Sequence, residues 1–81
     1  MVYDVVEARH LGACTVWLRF RDGTQATLDL LPELIGPVLE PLRDPGVFRT
    51  FRLSPDFHTL EWPNGADIAP ERLHQLARGR G

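Results

Sequence analysis

The stretch from Ala13 to Leu30 constrains the fold more than any other part of the chain. Cys14, Val16, Leu18 and Phe20 alternate with Thr15, Trp17, Arg19 and Arg21, and then Thr24, Ala26, Leu28 and Leu30 alternate with Gln25, Thr27 and Asp29. A period of two is the mark of a half-buried strand, because successive side chains point to opposite faces of a sheet. Parity then decides the turn between the two runs, since residues directly opposite one another in an antiparallel pair project from the same face. A two-residue Asp22-Gly23 loop would set Phe20 opposite Gln25 and mix the faces. A three-residue Arg21-Asp22-Gly23 loop, with Gly23 in the left-handed conformation, instead pairs Phe20 with Thr24, Leu18 with Ala26 and Val16 with Leu28. That register keeps one face apolar and places Trp17 opposite Thr27, Arg19 opposite Gln25 and Thr15 opposite Asp29 on the other.

Upstream, Tyr3 to Leu11 reads as a first strand whose imperfect alternation (Val5, Val6, Ala8) implies a bulge, with His10-Leu11-Gly12 as the turn into the second strand and His10 an ordinary solvated loop residue. Residues 31 to 50 carry Pro32, Gly36, Pro37, Pro41, Pro45 and Gly46, a spacing that forbids a long helix. Two helical turns are expected, one over Pro32 to Ile35 and one over Pro45 to Thr50. The second has Asp44 as its N-cap and proline at its first position. Leu34, Ile35, Val38, Leu42, Val47 and Phe48 supply the apolar side of a lid over the sheet. Phe51 to Leu53 and Thr59 to Trp62 read as a second hairpin with Pro55-Asp56-Phe57-His58 at its tip. If Leu53 opposes Leu60, Phe51 opposes Trp62 and the aromatic pair joins the core. Asn64-Gly65 turns the chain, Pro70 starts a closing helix striped by Leu73, Leu76 and Ala77, and Gly79 and Gly81 end it. The expected architecture is α+β, a single domain over 1–81. It has a small, mainly antiparallel sheet, a three-stranded meander plus a second hairpin, with short helical turns and a C-terminal helix.

With 81 residues the chain can bury only a modest core. A hydrophobic content of 43% with four Phe and two Trp argues for a folded domain rather than a disordered one. The net charge is −2 and all nine basic residues are Arg, a poor footprint for a nucleic-acid binder. The one basic cluster, Arg72, Arg78 and Arg80, complements the dipole of the last helix. Cys14 has no partner for an internal disulfide and sits on the apolar side of its strand, as a small core residue does. No apolar run approaches the roughly 18 residues of a membrane span, and no signal peptide opens the chain, so a cytoplasmic protein is expected.

The chemistry-bearing residues are sparse. His10, His58 and His74 fall in a loop, a hairpin tip and a helix, with no spacing of the kind that holds zinc. Ser54 is the only Ser, and Cys14 is expected to point inward, so no nucleophile stands beside a base. Glu61, Asp67 and Glu71 surround the Asn64-Gly65 turn. Asp67 and Glu71 fit a structural role at a helix N-terminus, where carboxylates cap free amides and offset the dipole. Neither a metal nor any other cofactor is expected, nor is catalysis.

Several phrases together resemble a known family: Tyr3-Asp4-Val5-Val6, Leu18-Arg19-Phe20-Arg21-Asp22-Gly23-Thr24, Leu42-Arg43-Asp44-Pro45 before a Phe, and Trp62-Pro63-Asn64-Gly65-Ala66-Asp67-Ile68-Ala69-Pro70-Glu71. The chain is similar over nearly its whole length to the small bacterial family catalogued as domain of unknown function 2442, and the last phrase is the most specific. The resemblance implies a small α+β domain. It also implies a partner, since members look like companions of another small protein encoded beside them, in an arrangement similar to toxin and antitoxin pairs. Some relatives carry an additional helix-turn-helix domain, for which these residues leave no room, so autonomous DNA binding is not expected here.

Two functional expectations follow. The first is a non-enzymatic protein-interaction module, an antitoxin-like partner of an adjacently encoded small protein, with Trp17, Arg19 and Thr27 as its contact residues. The alternative is a small enzyme or ligand-binding domain with a pocket near Trp62, Asn64, Asp67 and Glu71. Exposed strand edges in so small a domain also favour a homodimer, because pairing would protect them.

Overall fold

Alternation in the first third of the chain becomes a three-stranded antiparallel meander in the computed structural model, with β1 over Val5–Gly12, β2 over Thr15–Phe20 and β3 over Gln25–Asp29. The structure describes residues 1–80, the last of them by its backbone alone. Gly81, expected to help close the final helix, and the side chain of Arg80 lie outside the described residues. The β2–β3 register is the one parity demands: Leu18 pairs with Ala26, Trp17 with Thr27, Arg19 with Gln25 and Thr15 with Asp29. The Phe20 amide donates to the Thr24 carbonyl at 2.8 Å and Gly23 sits at φ +89°, so the three-residue loop with a left-handed glycine is present. Asp22 reinforces it by accepting the Thr24 amide at 2.9 Å.

β1 pairs with β2 through two irregularities, between Val5 and Glu7 and between His10 and Gly12. The bulge read from the broken alternation is thus real, but the turn is not where the sequence put it. His10, Leu11 and Gly12 belong to β1, and the chain reverses at Ala13-Cys14, with Ala13 itself at φ +44°. An alanine in the left-handed region is uncommon, which is why composition pointed to Gly12 instead. His10 is exposed as expected, its Nε2 lying 2.9 Å from the Ala13 carbonyl across that turn.

The segment after β3 packs on the apolar side of the sheet as one layer. It contains a 3-10 turn over Leu31–Glu33, a second over Glu40–Arg43 that the sequence did not announce, and a short helix, α1, over Pro45–Phe48. Asp44 caps α1 as predicted, accepting the Gly46 amide at 2.8 Å, with Pro45 following it. The lid is narrower than its composition promised. Leu34, Leu42 and Phe48 are fully buried, whereas Ile35 is 71% exposed and Val38 and Val47 also face outward. The first turn buries none of its own residues and the other two bury one each, Leu42 and Phe48, so their neighbours are left in solvent.

A second two-stranded sheet joins β4, Arg52–Leu53, to β5, Leu60–Glu61, with Leu53 opposite Leu60. Both are shorter than the sequence runs indicated, but the consequence of the register holds: the Phe51 and Trp62 rings lie 6.2 Å apart and join Phe48 in an aromatic cluster. The chain then folds back at Asn64-Gly65, where Gly65 has φ +87° and Asn64 Oδ1 accepts the Ala66 amide at 3.0 Å. The closing helix, α2, covers Pro70–Arg80 and presses Leu73 and Ala77 into the core beneath β3, with Leu76 partly buried beside them. Gly79 lies inside that helix rather than at its end.

Candidate functional site

The layer of turns, hairpin and helix covers one face of the meander and leaves the other. Val16, Leu18 and Phe20 on the covered face are at 0% exposure. On the opposite face stand Glu7 and Arg9 of β1, Thr15, Trp17 and Arg19 of β2, and Gln25, Thr27 and Asp29 of β3, none of them buried. This is the general outcome for an antiparallel sheet with helical elements on one side, where the second face meets solvent and becomes polar.

That face is organised around Trp17. Arg9 lies directly across from it on β1, and the guanidinium carbon sits 5.8 Å from the indole centroid, within cation–π range. Glu7 holds both neighbouring guanidinium groups: its Oε1 accepts Arg19 Nε at 3.2 Å and Nη2 at 3.1 Å, and its Oε2 accepts Arg9 Nη2 at 3.2 Å. Hydrogen bonds from Arg19 first, then Arg9, hold the Glu7 carboxyl below its usual range. The two arginines are therefore oriented before any partner arrives, which lowers the entropy cost of using them in recognition. Trp17, Arg19 and Thr27 share this face, as the sequence predicted. Glu7 and Arg9 were missed. Their i, i+2 spacing was the signal, but the bulge between Val5 and Glu7 shifts the phase of β1 and conceals which face they join.

The residues of the alternative pocket do not converge. Trp62 is 3% exposed, and its indole N–H donates to the Phe48 carbonyl at 2.8 Å, so its polar atom is already engaged. Asn64 is exposed and its amide donates to the Val38 carbonyl at 3.0 Å. Asp67 is exposed and forms an isolated antiparallel bridge with Glu61. It lies too early to cap α2, whose Arg72 and Leu73 amides bond the Ala69 carbonyl. Glu71 does sit in the first turn of that helix, where its charge offsets the dipole. A depression of about 400 Å3 is lined by Arg52, Glu61, Trp62, Pro63 and Gly65, and another of about 740 Å3 runs along α2 past Glu71, Arg72, His74 and Arg78. Trp62 and Glu71 line different depressions, and Asn64 and Asp67 line neither.

Several other ionisable residues fix α2 and the chain start, where Asp4 Oδ2 accepts the N-terminal amine at 2.9 Å and Arg21 Nε at 3.3 Å. Arg72 forms a forked pair with Glu33, Nε to Oε1 at 2.9 Å and Nη2 to Oε2 at 3.0 Å. It is thus in the first turn of α2 and tied to the lid, not at the C-terminal end where the basic cluster was expected to complement the dipole. His74 meets Asp22 at 2.8 Å, its ring perpendicular to that of Phe20 at a centroid distance of 5.0 Å. The Thr24 amide, then His74, pull the Asp22 carboxyl down to about 2. Burial, then the nearby Asp29, push the Cys14 thiol up, as befits a core residue rather than a nucleophile. No group of three or more His, Cys, Asp or Glu able to hold a metal ion occurs among the described residues. No helix among them is long and apolar enough to cross a membrane.

These features define a class: a small α+β domain whose sheet is packed on one face and presents an ordered aromatic and arginine surface on the other. A model of the family described as "Protein of unknown function (DUF2442)" matches residues 5–79, and the chain belongs to that family. No curated protein and no solved structure matches it.

Proposed function

We propose that this protein is a non-enzymatic interaction module of the bacterial cytoplasm, the antitoxin-like partner of a small protein encoded beside it, and that it binds through the Trp17 face of the meander. The observation that carries the reading is the preset triad of Arg9 over Trp17 with Arg19 alongside, both arginines held by Glu7 and none of the four buried. Tryptophan and arginine are the residues most enriched where binding energy concentrates, and an oriented pair of guanidinium groups recognises carboxylates with directional bonds. Thr27 extends the surface toward β3. The overall charge of −2 favours a partner with a complementary basic surface around the contact.

The test is co-expression with the adjacently encoded protein, followed by affinity capture and size-exclusion chromatography. Wild type is expected to carry the partner through both steps. The double substitution Trp17→Ala with Arg19→Glu is expected to lose it while keeping its circular dichroism spectrum. Unchanged capture by the folded double variant would overturn the surface assignment.

A further inference from the structure

We infer that the free edge of β3 is a self-pairing edge, and that two copies of the chain join there by antiparallel β3–β3 addition into one continuous sheet about a two-fold axis at Thr27. The inference concerns the sheet edge and goes beyond the partner-binding face.

Hydrogen-bond phase carries the first step. Phe20 donates to Thr24 at 2.8 Å and Leu30 donates to Cys14 at 2.9 Å. Alternation along an antiparallel ladder then makes Leu18–Ala26 and Val16–Leu28 the bonded pairs between β2 and β3. The N–H and C=O groups of Gln25, Thr27 and Asp29 consequently point away from β2. They have no backbone or side-chain partner among the described residues, and all three residues are exposed. The edge offers three consecutive donor–acceptor stations.

The other edge of the meander is protected in the ways natural sheets use. β1 carries two bulges, and the Val5 amide on its outer side already donates to the His58 carbonyl at 2.9 Å. β3 is regular along its length, has no proline or lysine, and has no covering hydrogen bond. An unprotected edge beside a protected one in the same sheet marks the first as an interface.

Self-complementarity selects a second copy as the occupant. With the axis at Thr27, that residue faces Thr27 of the partner subunit, and Gln25 faces Asp29 of the partner subunit. Each of these stations can exchange two bonds, about six in all. A threonine–threonine pair is favourable across strands, and the neutral Gln25 opposite an acid avoids the like-charge opposition that would disfavour self-pairing. In the same register Ala26 faces Leu28 of the partner subunit, so the apolar side of one sheet continues into the apolar side of the other. A two-fold axis makes the contact isologous and closed, giving a dimer rather than a filament.

The experiment is sedimentation velocity across a dilution series of the intact protein. Wild type is expected to run at the mass of two chains and to dissociate on dilution. Thr27→Lys and Thr27→Glu place like charges opposite each other at the axis, and each is expected to run as a folded monomer. An equimolar mixture of the two is expected to regain the dimer, since opposite charges then meet. Wild type sedimenting as a monomer throughout, dimeric single variants, or a mixture that stays monomeric would each overturn the inference. Hydrogen exchange reads the wild-type edge directly: the amides of Gln25, Thr27 and Asp29 gain protection as concentration rises, and concentration-independent fast exchange there would refute it.

Discussion

Replacing Trp62 by Phe tests whether the family's most specific phrase is a structural anchor. The indole is 3% exposed, packs against Phe48 at 5.6 Å and Phe51 at 6.2 Å between ring centroids, and donates its N–H to the Phe48 carbonyl at 2.8 Å. Phenylalanine keeps one ring and loses both the donor and part of the volume. An orphaned buried acceptor costs about 1–3 kcal/mol. The Phe48 carbonyl also receives the Phe51 amide at 3.3 Å, so it is not left wholly unpaired and the lower half of that range applies. Full truncation of a buried aromatic costs about 3–5 kcal/mol, and losing roughly a third of the side chain adds about 1–1.5 kcal/mol. The expected loss is therefore about 2–3.5 kcal/mol. At roughly 0.05–0.15 kcal/mol per residue, an 81-residue domain has about 4–12 kcal/mol in total, so the variant should still fold. Its midpoint should drop by about 8–28 °C. Urea titration followed by circular dichroism measures the loss, and intrinsic fluorescence supplies a second reading. With the buried indole gone, the half-buried Trp17 is the remaining tryptophan, and the emission maximum of the folded protein should move to the red. A stability change below about 0.5 kcal/mol would refute the packing and hydrogen-bond account together.

Further outcomes are expected in the loop between β2 and β3 and in the turn after β5. Asp22 has a folded pKa of about 2, held down first by the Thr24 amide and then by His74. A depressed carboxyl contributes stability that is fully present above the unfolded value, about 3.9, and is lost as pH falls through the folded one. Asp22→Asn should accordingly flatten the stability profile between about pH 4 and pH 2, and an unchanged acid limb in denaturant titrations would contradict it. Gly65→Ala should cost about 1–2 kcal/mol from the left-handed backbone alone. A Cβ at that site would meet nothing within 4 Å, so a much larger loss by thermal denaturation would point to a clash that the structure does not contain.

The candidate face was partly legible and partly hidden. Parity alone placed Trp17, Arg19 and Thr27 together, because a three-residue loop admits one register that keeps Val16, Leu18 and Phe20 on the other side. Glu7 and Arg9 complete that face but belong to a strand whose bulge breaks the period. A bulge changes phase by one residue, and in a period of two that reverses every assignment beyond it. The lid shows the same division. Asp44-Pro45 announced α1 because capping is local chemistry, while nothing in the string distinguished buried Leu42 from exposed Val38.

What the sequence determined by itself was whatever a few adjacent residues decide: the strand alternation, the Gly23 and Gly65 turns and the Asp44 cap. What the tertiary structure decided was which distant groups meet. His74 reaches Asp22 across 52 positions and Arg72 reaches Glu33 across 39, two contacts that bind α2 to the sheet turn and to the lid. The same packing settled that no layer covers Trp17, which parity had already set on the face away from the core, while Trp62 is enclosed where the hairpin register had placed it. Whether the second face of a sheet is covered depends on how the layers stack, and stacking is a property of the whole chain rather than of any local stretch.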